Sequence, residues 1–389
     1  MGDLGLRTGI FLAPFHPVEE DPTRAIQRDL ALIERLDALG YEEAWIGEHH
    51  SAGFEIIASP ELFIAAAAER TRRIRLGTGV ISLPYHNPLM VANRMIQLDH
   101  MTLGRAMFGV GPGLLPSDAM MLGIEPVRQR DMMVESLEVI LRLLEGETVS
   151  HECDWFKLRD ARCQLRPYTR PRPEMAVAST ITPSGGRAAG KYGLGMLCVA
   201  ATQSSGYDVL GTNWRIAEEL AAERGASMSR RDLRCVGPMH LARTREEARA
   251  QVRFGLEKWQ GYFYALNPVA GGRPSAGGDP VDAMVESGVA VIGTPDDAIA
   301  QIERLQKQTG GFGTYLFMAH NWAPFEQTLQ SYELFANYVK PHFNGSNVLR
   351  AASLESTNAR AGELMAKAGQ GIRAMFEKHV AEQAAKRRS

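Results

Sequence analysis

The 389-residue chain has little cysteine and no long apolar run. Its four cysteines, Cys153, Cys163, Cys198 and Cys235, stand far apart with no CxxC pair. That argues against a zinc ribbon and a disulfide scaffold, and fits a reduced, cytoplasmic setting. No stretch approaches the roughly 20 apolar residues of a membrane-spanning helix. The first residues lack the basic-then-apolar order of a signal peptide. A net charge of −2 leaves no basic excess for nucleic acid or an anionic membrane surface. No dinucleotide fingerprint follows the first predicted strand, which weakens a Rossmann sheet. What is present, 45% hydrophobic and 23% charged residues, is the composition of a globular protein with a large core.

Apolar runs bounded by turn residues alternate with helical segments. The predicted strands are residues 9–14, 43–47, 74–80, 106–110, 175–179, 195–199, 233–241 and 314–319. Among the helices between them, Asp21 and Pro22 supply an N-cap and first position, and Gly40 a stop. Later helices are predicted over 213–224, 244–262 and 324–339. Residues 148–164 alternate as a small hairpin, and 267–280 (NPVAGGRPSAGGDP) form a Gly- and Pro-rich loop. Eight strands alternating with helices place the chain in the α/β class as a (β/α)8 TIM barrel, with insertions after strands four and seven. The barrel is expected over 1–344. Residues 345–389, charged and alanine-rich, form a helical or partly disordered C-terminal extension.

Chemistry in such barrels sits at the carboxyl ends of the strands, and the unusual residues fall there. His16 follows strand one, and Glu48, His49 and His50 follow strand two. Residues 109–113 (GVGPG) end strand four, and 179–186 (STITPSGG) follow strand five. His240 ends strand seven, and His320 follows strand eight. A histidine can act as base, acid or hydrogen-bond donor near neutral pH, yet one after a strand is commonly structural. From the residues alone both readings of His49 and His50 stay open. No metal site is expected there, because adjacent side chains point in different directions and no HExxH spacing supplies a partner. Thr182, Ser184 and Gly185 fit a phosphate at a helix start or a simple N-cap. Phe11, Phe15, Tyr85 and Trp322 are apolar candidates near the rim.

Several motifs together resemble the bacterial luciferase-like superfamily of flavin monooxygenases, over about residues 6–343. They are Glu48-His49-His50 after Tyr41 and Trp45, residues 77–84 (GTGVISLP) with His86-Asn87-Pro88, Leu98-Asp99, and Gly104-Arg105. Residues 109–123 and 331–343 are similar to its limonene 1,2-monooxygenase-like branch. The resemblance implies a TIM barrel, usually a homodimer. It implies FMN, used as FMNH2 delivered by a separate NAD(P)H:flavin reductase. With O2 the flavin would form a C4a-(hydro)peroxyflavin that oxygenates a small hydrophobic substrate: a terpene, alkene, aldehyde or cyclic ketone. The family's required histidine maps to His49, with Glu48 or His50 orienting it. The family's non-proline cis peptide maps to Gly79–Val80. Flavin contacts are expected at Gly79, Val80, Gly111, Ser179, Thr182, Ser184 and Gly185. A family arginine that holds the phosphate is Pro112 here, so the phosphate contacts must differ. Residues 267–280 occupy the place of the family's mobile lid. Two alternatives are a coenzyme F420-dependent oxidoreductase of the same superfamily and a non-catalytic flavin-binding barrel.

Overall fold

The computed structural model describes residues 5–13, 15–266 and 278–387, with backbone only for 204–208. The loop predicted over 267–280 therefore lies mostly outside the described residues. The chain divides into two compact units, residues 1–340 and 341–389.

In the first unit the strands are β1 (Arg7–Leu12), β2 (Glu43–Ile46), β3 (Arg75–Ser82), β4 (Ala106–Gly111), β5 (Val149–Glu152), β6 (Lys157–Ala161), β7 (Glu174–Ser179), β8 (Gly195–Cys198), β9 (Leu233–Leu241), β10 (Val291–Gly293) and β11 (Thr314–Met318). Eight of them are parallel and close a barrel in the order β1, β2, β3, β4, β7, β8, β9, β11, with β11 pairing back on β1. β5 and β6 are the antiparallel hairpin expected over 148–164. β10 was not legible as a strand. It is three residues long and pairs with the last three of β9, beyond the part that β11 covers.

The helices are α1 (Pro22–Ala38), α2 (Pro60–Arg70), α3 (Pro88–Met101), α4 (Pro116–Met121), α5 (Gln129–Leu144), α6 (Ser184–Tyr192), α7 (Ser204–Glu223), α8 (Arg245–Val252), α9 (Leu256–Leu266), α10 (Pro280–Glu286), α11 (Pro295–Thr309) and α12 (Phe325–Leu334). Their starts follow capping chemistry. The Asp21 carboxylate accepts from Arg24 N, the Asn87 side chain accepts from Leu89 N, and Thr294 with Asp297 forms a capping box. Three helical expectations change. α7 begins at Ser204 rather than 213. The helix expected over 244–262 is broken into α8 and α9, because Gly255 N donates to Trp322 O and a Cβ there would lie 1.9 Å from Asn321 O. The helix expected to run to 339 passes at Phe335–Val339 into a π turn.

The barrel is filled by alternate residues of its strands, among them Phe11, Trp45, Met107, Leu197, Val236 and Leu316. Trp45 is wholly buried, and it fits because β3 has no side chains facing it. A Cβ on Gly77 would lie 2.7 Å from the indole ring, and one on Gly79 would lie 2.9 Å from Trp45 Cβ. Charge collects at the opposite end from the loops: Arg7, Glu43, Arg75, Glu174 and Arg234 stand at the first or second position of their strands and pair with one another.

Outside the barrel, Glu135 of α5 accepts from His151 Nε2 at 2.9 Å and Trp155 Nε1 at 2.9 Å, clamping the hairpin to the helix. Cys153 lies close by, and its thiol reaches Phe156 O at 3.4 Å. These bonds account for the cluster as a structural joint.

The second unit holds α14 (Val348–Ala359) and α15 (Ala361–Lys386), preceded by α13 (Lys340–Asn344) at the junction. Among the described residues no helix is long and apolar enough to cross a membrane.

Candidate active site

β2 is four buried residues, and the chain leaves it as Gly47-Glu48-His49-His50. Past the strand, successive side chains diverge. Glu48 turns inward under β3, where its Oε2 accepts from Ser82 N at 2.6 Å. Its Oε1 accepts from His86 Nε2 at 2.6 Å and from His50 Nε2 at 3.0 Å. Burial works against its charge, but the bonds from His50 and His86 outweigh that and hold the carboxyl at about 2. Glu48 is thus a fixed anion with both oxygens engaged. His50 is its partner, held above its ordinary value chiefly by that bond.

His49 goes the other way. Its Nδ1 lies 3.1 Å from Asp118 Oδ2, and its Nε2 lies 3.3 Å from Glu55 Oε2. The carboxyls beside the ring are those of Asp118 and Glu55, not Glu48, and the ring's hydrogen bond is to Asp118. Asp118 sits on α4 and also accepts from Ser51 Oγ and His50 N. Burial raises its carboxyl, and the bonds from His49 and Ser51 more than offset this, so it stays ionised. The Nδ1 proton of His49 therefore points at Asp118. Burial disfavours imidazolium at His49, but the Glu55 and Asp118 carboxyls outweigh it and raise the ring above its ordinary value.

These groups open on a cavity of about 310 Å³ at the carboxyl ends of the strands, within the range of small-molecule sites. Glu48, His49 and Glu55 line it, as do Gly79 and Val80, whose peptide bond is cis. Phe11, Met318, Trp259 and Phe263 supply apolar wall. Thr180, Thr182 and Ser184 add hydroxyls from the end of β7 and the start of α6, and Arg130 of α5 adds a cation. The N-cap reading of Thr182 and Ser184 is not what the local structure shows. α6 has no side-chain cap; the two hydroxyls bond each other at 2.8 Å, and Asn213 Nδ2 holds the loop through Thr180 O and Thr182 O. Neither is spent as an N-cap.

Other expected residues stand behind the wall. Gly111 backs Val80, since a Cβ there would lie 2.7 Å from Val80 Cγ2. Ser179 is buried against Asn213. Gly185 lets α6 pack on β7, where a Cβ would lie 2.7 Å from Ala178 O. Phe15, Tyr85 and Trp322 do not line the cavity: Phe15 stacks on Phe54, Tyr85 bonds Gln129, and Trp322 packs on Trp259. His16 is paired with Asp29. His240 and His320 bond Gln251 and Met239 O, and burial lowers both rings, His320 to about 3.

The site also contains residues that had drawn no attention: Glu55, Asp118, Arg130, Trp259 and Tyr262. Only Asp118 carried a sequence signal, an acid in a short Pro-started helix after strand four.

The family model described as luciferase-like monooxygenase matches residues 6–311. Limonene 1,2-monooxygenase of Rhodococcus erythropolis is 49% identical over 337 residues, 87% of this chain and 86% of that protein. 4-Hydroxyprotoasukamycin monooxygenase of Streptomyces nodosus subsp. asukaensis is 47% identical over 343 residues, 87% of this chain and 92% of that protein. Among solved structures, monooxygenase RslO1 of Streptomyces bottropensis superposes with a TM-score of 0.77 at 27% identity, covering 87% of this chain and 100% of the other. The oxygenating constituent of 3,6-diketocamphane monooxygenase of Pseudomonas putida, solved with FMN, superposes with a TM-score of 0.74 at 25% identity, covering 87% and 98%.

Proposed function

The chain belongs to the luciferase-like monooxygenase family, and from that premise we propose that it is a two-component monooxygenase. In this reading it takes FMNH2 from a separate flavin reductase and uses O2 to oxygenate a small hydrophobic substrate. The observation that carries the reading is one cavity holding three things: a histidine set between two carboxyl groups, a cation and several hydroxyls, and an apolar wall. Reduced FMN, when bound, supplies the electrons that activate oxygen. The rest falls to the chain. Arg130, Thr182 and Ser184 fit the flavin phosphate, in place of the arginine missing at Pro112. The backbone at Gly79–Val80 fits the ring. Phe11, Trp259, Phe263 and Met318 exclude water and receive an apolar substrate. His49 holds or releases a proton at Nε2 while Asp118 fixes its tautomer. The monooxygenase names of the relatives support oxygen transfer, and the FMN in the Pseudomonas putida structure supports the flavin.

The test is product detection. The purified protein, FMN, a flavin reductase and NAD(P)H are incubated under 18O2 with apolar alkenes, aldehydes and cyclic ketones. A product carrying one labelled oxygen is expected. Hydride transfer from reduced F420 without label incorporation would instead establish the F420-dependent alternative, and no turnover with any donor the non-catalytic one.

The phosphate assignment has its own expected outcome. A hydrogen bond to a charged group contributes about 1.5–3 kcal/mol, so Arg130→Ala is expected to weaken FMN binding by about 10- to 100-fold. Riboflavin, which lacks the phosphate, should bind wild type and variant alike. Equal weakening of both, measured by fluorescence titration, would remove Arg130 from the phosphate.

A further inference from the structure

Glu55 is not explained by the reading of His49 alone. It follows β2 in a loop without regular structure, and its side chain is 13% exposed. One oxygen is engaged: Tyr262 Oη donates to Oε1 at 2.6 Å. The other, Oε2, is buried and makes no hydrogen bond among the described residues. His49 Nε2 lies 3.3 Å from it, at ion-pair distance. Tyr262 comes from α9, 207 residues further along the chain, and is fixed by packing on Phe54 and Phe15 at 4.7 Å and 5.6 Å between ring centres. A buried carboxyl oxygen with no other donor, at ion-pair distance from a ring nitrogen, needs only a small turn of either group to be satisfied by a proton on that nitrogen.

We propose that Glu55 and Tyr262 are positioning residues for His49: Glu55 Oε2 shares the proton of His49 Nε2, and the Tyr262 hydroxyl holds Glu55 where it can do so. This rests on the reading of His49 as the proton-handling group. The proton has two places. On Nε2, the pair is imidazolium and carboxylate; on Oε2, it is neutral imidazole and carboxylic acid. Transfer between them leaves the pair's net charge unchanged, so no counter-ion has to move in a buried site. The surroundings pull in both directions. Burial favours the neutral pair and raises Glu55. Against it work the Tyr262 donor and the His49 charge. Asp118 from α4 raises both groups, Glu48 from the end of β2 favours the proton on His49, and His16, after β1, favours the ionised Glu55. Through Tyr262, the insertion between β9 and β11 thereby bears on the protonation of a residue after β2.

The protein without flavin gives a readout that does not depend on turnover. The full chain is labelled with [15N]histidine, and the ring nitrogens are titrated by NMR, His49 being identified by the signal lost in His49→Ala. In the wild type His49 is expected to titrate above the ordinary histidine value. In Glu55→Gln, which keeps shape and removes charge, its midpoint is expected to fall by about one pH unit or more. Tyr262→Phe keeps the ring stack and is expected to move His49 in the same direction by less. It also keeps the proposal testable should Glu55→Gln fail to fold. The low-pH limb of kcat should move with each variant, with KM little changed. An unchanged His49 midpoint in Glu55→Gln, or in Tyr262→Phe if only that variant folds, overturns the proposal. Full oxygen transfer in His49→Ala would overturn the underlying reading instead, so the two failures are distinguishable.

Discussion

His49→Ala is expected to lower oxygen transfer by about 10²- to 10⁴-fold, the usual contribution of a positioned proton-transfer group, while the protein still folds and binds FMN. The fold should survive because the imidazole is not a structural keystone. The His49 backbone N–H donates to Ile57 O whatever the side chain. Asp118 keeps the Ser51 hydroxyl and the His50 N–H, and Glu55 keeps Tyr262. Flavin binding should survive because the groups fitted to the phosphate stand on α5 and at the start of α6, and those fitted to the ring on β3. Product yield and FMN affinity measured on one preparation separate chemistry from binding. Undiminished yield would end the assignment of His49. Lost yield together with lost FMN binding would make it a flavin contact rather than a proton handler.

The barrel was legible because strands buried on both faces read as continuous apolar runs closed by Gly or Pro. Glu48-His49-His50 was legible because three titratable groups at the end of such a run are rare. Their division of labour was not. Glu48 and His49 look equivalent in sequence, and only the turn out of β2 sends one to Ser82 N and His86 and the other to Asp118. The same limit misplaced interest in His240 and His320. They stand at strand ends as expected, but each is turned to a local acceptor. Glu55, Tyr262 and Arg130 left no mark at all. Glu55 lies in a loop without periodicity, Arg130 reads as a solvent-facing residue of an amphipathic helix, and the Glu55–Tyr262 bond spans 207 residues and exists only once the barrel closes.

At the other end of the barrel, Arg234→Met is expected to destabilise the fold by about 3–5 kcal/mol, as when one member of a buried ion pair is removed. The Arg234 and Glu43 side chains are both 0% exposed, with Arg234 Nε 2.7 Å from Glu43 Oε2. Arg234 also donates to Glu174 and lies 4.8 Å above the Trp45 ring. Methionine replaces the packing but not the charge. Glu43 keeps Arg7 at 3.0 Å and Trp45 Nε1 at 2.9 Å, which places the cost toward the lower part of that range. Acid provides the check on mechanism. Burial pushes both carboxyls up, but the facing arginines outweigh it, lowering Glu43 and bringing Glu174 to about 2. Because these folded values lie below the unfolded one of about 4.3, the stability they give is present above that pH and is lost as pH falls toward the folded values. In Arg234→Met much of that contribution is already gone. The gap in urea midpoint between wild type and variant should therefore be widest at neutral pH and narrow as pH falls below about 4. A gap constant across that range would mean that Arg234 acts through its cation over the Trp45 ring rather than through the carboxylates. A narrowing gap would mean that charge pairing among the strand starts holds the closed end of the barrel, leaving the carboxyl ends free to carry the cavity.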